Sequence, residues 1–171
     1  MPGPPYLPVF VVALVLAVVT ACEVDTGATE SAAPVEPEAG EIAFDLAGPD
    51  EAALLVPVHI NGEGPFDFVL DTGATLTCVD RELAGRLALE ERDDIHGYGV
   101  AIGGSGALEL VTLDTVRIGE ASASGLVGCV LDLAQLREIG PGGKGLVGLN
   151  FLREFRVELD FDRNVLTLTQ P

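Results

Sequence analysis

The stretch Gly64-Pro65-Phe66-Asp67-Phe68-Val69-Leu70-Asp71-Thr72-Gly73-Ala74-Thr75 constrains this chain more than any other. It opens as an apolar run of strand-forming residues and breaks abruptly into a carboxylate, a hydroxyl and a glycine. A strand has no structural use for an acid at its end unless neighbouring groups offset the loss of water around it. A glycine two residues later permits a sharp turn or the close approach of a second backbone. Asp71 is therefore a candidate for acid–base chemistry. The competing reading is a common turn in which the Asp side chain bonds a nearby backbone N–H.

The flanks weigh on that choice. Upstream, Leu54-Leu55-Val56-Pro57-Val58-His59-Ile60 runs through Asn61-Gly62 into the strand that carries Asp71, and Asn-Gly between extended runs predicts a tight hairpin. Pro57 lacks a donor, which predicts an edge or irregular position for this first strand, with His59 a surface or dimer-rim residue. Downstream, Gly145-Leu146-Val147-Gly148-Leu149-Asn150-Phe151-Leu152 repeats the apolar run and glycine without the acid, and a hairpin around Asp162-Arg163-Asn164 closes the chain. Short helices are predicted over 80–87, 133–138 and 150–153.

Taken together, residues 56–61, 68–75, 145–152 and 157–162 resemble the retropepsin-like aspartic proteases, specifically the bacterial single-domain kind, over roughly 52–169. The resemblance implies an all-β fold, a retropepsin-like closed barrel of short strands with a flap hairpin and one or two short helices. It implies Asp71 as the catalytic acid, with Thr72, Gly73, Ala74 and Thr75 as its supporting loop. The Gly-rich run between Asp93 and Leu110 falls where that family carries its flap, which makes Tyr98, Gly99, Gly103 and Gly104 flap candidates. For Tyr98 a packed position on a surface loop is the alternative.

Peptide hydrolysis by carboxylates takes two acids in different protonation states, and like charges held together split their titrations. Only one Asp-Thr-Gly ends an apolar strand run, Asp71-Thr72-Gly73, the other copy at Asp25-Thr26-Gly27 falling within the acidic tether, so the implied enzyme is a homodimer that brings two copies of Asp71 to a polypeptide substrate. The alternative is a non-catalytic retropepsin-like binding or scaffold domain.

Residues 6–21 are apolar and end Val19-Thr20-Ala21-Cys22, similar to the lipobox of bacterial lipoproteins. That implies a signal peptide over 1–21, lipidation at Cys22, and a lipid-anchored protein of the cell envelope facing the periplasm or exterior. A simple signal-anchor is the other option. Residues 22–50 read as an acidic disordered tether, and 51–171 as the protease domain. A formal net charge of -18 disfavours binding to a nucleic-acid backbone. With Cys22 lipidated, Cys78 and Cys129 remain, open to a disulfide or to two buried thiols. Neither His59 nor His96 has ligand spacing with a cysteine, so neither metal nor cofactor is expected.

Overall fold

The computed structural model describes residues 38, 40–95, 97–101, 104–133 and 143–171, with the backbone alone at 97–101 and 104–106. The signal peptide, Cys22, most of the tether, Gly103 and the helix expected over 133–138 lie outside the described residues, apart from Leu133 itself.

The strands are β1 Glu41–Ala43, β2 Asp45–Ala47, β3 Ala53–Ile60, β4 Glu63–Leu70, β5 Cys78–Asp80, β6 Gly97–Ala101, β7 Gly104–Ile118, β8 Ala121–Leu131, β9 Gly145–Val147, β10 Arg156–Asp160 and β11 Val165–Thr169. Two short helices, α1 Arg81–Arg86 and α2 Leu149–Leu152, follow β5 and β9.

The β3–β4 hairpin turns at Asn61-Gly62 because both residues hold left-handed backbone, φ 51° and 85°, which matches the twist of the paired strands. Asn61 also anchors the turn to β7. Its N–H donates to the Thr115 carbonyl at 2.9 Å, and its Oδ1 accepts from Thr115 N–H at 3.1 Å. Ala53, Val56, Val58 and Ile60 point into the core along β3, joined by Phe68 from β4. β3 is not an edge strand. Pro57 is tolerated because pairing with β2 stops at Leu55 and pairing with β7 starts only at His59.

The expected closed barrel of short strands does not form. β1, β11 and β10 make a separate three-stranded sheet, and the others form an eight-stranded mixed sheet in the order β2-β3-β4-β9-β5-β8-β7-β6. β3 and β7 do meet, but among the described residues only at His59–Arg117 and Ile60–Val116, and there β2 and β6 remain as edges. Strand length is the physical reason. β7 runs for 15 residues and β8 for 11, and the far end of β7 pairs with β6 rather than returning to the body.

The folded part also starts before residue 51. Ile42 and Phe44 are 8% and 3% exposed, β1 pairs with β11, and β2 pairs with β3, so two short strands joined at Phe44 stand where a tether was expected. Two apolar side chains among acids suffice here because β11 supplies a ready edge. Arg163, beside β11, clamps Glu41 through two bonds of 2.8 Å.

Candidate active site

β4 and β9 run side by side and parallel, with Val69 opposite Leu146 and Leu70 opposite Val147. The two matching apolar runs therefore end at the same level, one in Asp71 and the other in Gly148. The ladder continues one step further, because Asp71 N–H donates to the Val147 carbonyl at 3.0 Å. The position of the Asp71 backbone is thus set by the sheet.

Beyond it the chain turns sharply. Asp71 Oδ1 accepts from Gly73 N–H at 2.8 Å, and the Asp71 carbonyl accepts from Ala74 N–H at 3.3 Å. Asp71 is half-buried, while Thr72, Gly73 and Thr75 are exposed. The loop is the Asx turn of the bland reading in its hydrogen bonding. It differs in what holds it from behind.

α2 lacks a side-chain N-cap. Its first donors are met by the Asp71 loop instead: Leu149 N–H reaches the Ala74 carbonyl at 2.8 Å, and Asn150 N–H reaches the Thr75 carbonyl at 3.0 Å. Only glycine fits at 148. A Cβ there would fall on the Leu76 carbonyl and 2.9 Å from the Ala74 carbonyl oxygen.

Behind the loop lie two residues that the sequence reading did not place in the site. Thr77 is fully buried. Its N–H and Oγ1 both donate to Asn150 Oδ1, at 2.8 and 2.9 Å, and its Oγ1 accepts from Gly148 N–H at 3.3 Å. Asn150 Nδ2 donates in turn to the Val127 carbonyl of β8 at 2.8 Å. One amide thereby joins the Asp71 loop, the β9–α2 junction and β8. The available signal was a hydroxyl and an amide inside apolar runs, Leu76-Thr77-Cys78-Val79 and Leu149-Asn150-Phe151, where an unpaired polar group would be costly.

Beside Thr77, Cys78 stands in register with Cys129 on the parallel pair β5–β8, with a Cα–Cα distance of 4.4 Å, and a disulfide joins them. Tyr98 and Gly99 lie in β6 and Gly104 in β7. They form an antiparallel hairpin, Tyr98 opposite Ala107 and Gly99 opposite Gly106. His59 sits at the turn end of the β3–β4 hairpin, remote from Asp71 along the strands. Burial, and then the Arg117 guanidinium, hold its imidazole below the usual histidine value.

A family profile described as aspartyl protease matches residues 56–151, more than half of the chain. The chain belongs to the aspartyl protease family. The matched span runs from β3 into α2 and contains Asp71, Thr77 and Asn150. None of the curated proteins matches this sequence. Among solved structures, the chain is similar to a retropepsin-like aspartic protease from Rickettsia conorii, with 23% identity and a TM-score of 0.50 over 77% of this chain and 90% of that one. At that identity the likeness speaks to the fold: a retropepsin-like arrangement, opened into two sheets as described above.

Proposed function

We propose that this member of the aspartyl protease family is an endopeptidase in which two copies of Asp71, one from each subunit of a homodimer, activate a water against a peptide bond. The half-buried Asp71 carboxylate at the end of β4, in a loop braced from behind by Thr77 and Asn150, is the observation that carries this reading. A rigid loop holds the acid in one orientation, so little reorganisation is needed when charge develops. One carboxylate, ionised, takes a proton from water as the water oxygen bonds the carbonyl carbon. Its protonated counterpart hydrogen-bonds the carbonyl oxygen, and the first carboxyl then hands the proton it took from water to the amide nitrogen, which leaves as the amine when the C–N bond breaks. Thr72 and Gly73 would line the pair, and the β6–β7 hairpin would supply the flap.

The same reading extends to the address. Lipidation at Cys22 after removal of residues 1–21 would tether the domain to a bacterial membrane, outside the cytoplasm.

Replacing Asp71 with Asn tests the chemistry. On a peptide library assayed between about pH 3 and 7, cleavage by wild type and none by the variant is expected, with the fold unchanged. Equal cleavage by D71N sinks the assignment.

A further inference from the structure

The Cys78–Cys129 disulfide stands where the Asp71 loop ends. Asp71 and Cys78 bound that loop. The first is held through its N–H on the Val147 carbonyl, and the second is the first residue of β5. β5 is only three residues long, and it meets β8 in a parallel ladder of three pairs, a pairing slightly less stable per residue than an antiparallel one. The covalent bond closes that ladder at the end where the chain leaves the loop.

The brace behind Asp71 straddles the same two strands. Asn150 Oδ1 accepts from Thr77, the residue before Cys78, and Asn150 Nδ2 donates to the carbonyl of Val127, two residues before Cys129. Cys129 N–H donates to the Thr77 carbonyl at 3.1 Å. At Gly128, between Val127 and Cys129, a Cβ would lie 3.1 Å from the Thr77 carbonyl oxygen and 2.7 Å from Leu113 Cδ1. One amide has a fixed size, so it serves Thr77 and Val127 together only while β5 and β8 keep their separation. The disulfide sets that separation, with its two Cα atoms 4.4 Å apart.

The cysteines stand outside the main core. With Leu110 they form a second, smaller cluster, flanked by half-buried Leu76, Leu108, Val127 and Leu131. Phe68, Leu113, Phe151 and Leu166 belong to the large one. Opening the bond therefore frees β5 from β8 beside the loop and leaves the large cluster its own contacts. Buried thiols behave as small apolar groups, so the reduced pair still fits among its leucines.

We infer that the disulfide is a redox-sensitive positioning element for Asp71. Oxidised, it holds the brace and the loop in register; reduced, it lets the loop move while the domain stays folded. In the reduction a small dithiol gives up two electrons and two protons and closes to its own disulfide, and the Cys78–Cys129 bond opens to two thiols. Disulfides persist in oxidising compartments, so cleavage would be strongest in a setting such as the one proposed for the anchored chain. The inference rests on the peptide cleavage of the proposed function and adds a control to it.

The test compares the full-length chain in a mild non-ionic detergent in three states: oxidised, incubated with excess dithiothreitol until thiol titration shows the bond open, and as the C78A/C129A double variant. Amide hydrogen exchange by NMR reads the brace without reference to activity. Exchange at Thr77, Leu149 and Asn150 is expected to quicken roughly tenfold or more in the last two states, with the β3–β4 and β10–β11 ladders unchanged. Cleavage per folded molecule is expected to fall roughly tenfold or more, through kcat rather than KM, and to return when wild type is reoxidised. C78A/C129A should be indifferent to dithiothreitol. Should that variant fail to fold, the reduced wild type decides, since it differs only in the bond. Exchange that quickens equally through both ladders would make the bond a general staple and overturn the inference, as would unchanged exchange at the brace or an unchanged kcat. A wild type that cleaves nothing while its brace still responds to the dithiol would overturn the proposed function and leave the loop device standing.

Discussion

Asp71 follows the last residue of β4, and Asp80 is the last residue of β5, yet the two acids are placed in opposite ways. Asp80 is 3% exposed, and its carboxylate accepts from Glu82 N–H at 3.3 Å, capping α1, and from Leu133 N–H at 3.2 Å. Asp71 is half-buried, and its carboxylate accepts only from Gly73 N–H among the described residues. An acid at a strand end is therefore no signature by itself. A structural acid is sealed in and spent on backbone donors. One fit for chemistry keeps a face to solvent while its backbone is locked.

The sharpest way to break this comparison is to remove each acid in turn. D71N is expected to lower peptide cleavage by about 10²-fold or more while shifting stability by about 0.5 kcal/mol or less. Next comes the brace. Asn150→Ala leaves Thr77 N–H and the Val127 carbonyl without their partner, and is expected to cost about 3 kcal/mol in denaturant unfolding. If Thr77 and Asn150 position the loop, kcat falls further than KM rises in the residual folded enzyme. A kcat unchanged per folded molecule would reduce the pair to ordinary packing.

Asp80→Ala should do the reverse of D71N. It is expected to cost about 1–2 kcal/mol and to leave cleavage per folded molecule intact. Loss of cleavage without loss of stability would erase the contrast between the two acids.

The smallest effect is expected at Glu41, whose carboxyl is held below the usual carboxylate range, first by its side-chain bonds to Arg163 and then by the Glu38 backbone N–H. A lowered folded-state value means that the contact stabilises above the ordinary carboxylate range and is lost as pH falls through the lowered value. The Tm difference between wild type and Glu41→Gln should accordingly be largest near neutrality and vanish in acid. A difference constant with pH would show that the charge contributes nothing.

Features encoded by neighbours were legible in the sequence. Asn61-Gly62 announced its hairpin because the turn demands positive φ at both positions, and Asp80 marked the start of α1 because a short carboxylate suits an N-cap. Asp71 stood out because nothing local explained it. What escaped was non-local. Ile42 and Phe44 were submerged in an acidic, Pro-rich stretch whose composition favours disorder, and their partner strand arrives only at Val165. Thr77 and Asn150 each looked like an isolated polar residue because their bond spans 73 positions. Openness of the sheet depended on how far β7 runs before it meets β3, which no window of sequence reveals.

That span of 73 positions also has a meaning in time. During synthesis the Asp71 loop emerges well before β9 and α2, which provide the Val147 carbonyl, the Leu149 and Asn150 donors and the Asn150 amide. At ordinary translation rates the interval is on the order of seconds. Throughout it the acid-bearing loop has no brace, and loop closure over so long a chain must come late. The loop therefore cannot harden until the chain has been made through Asn150, so the carboxylate at Asp71 is the first part of the site to be synthesised and the last to be held in place.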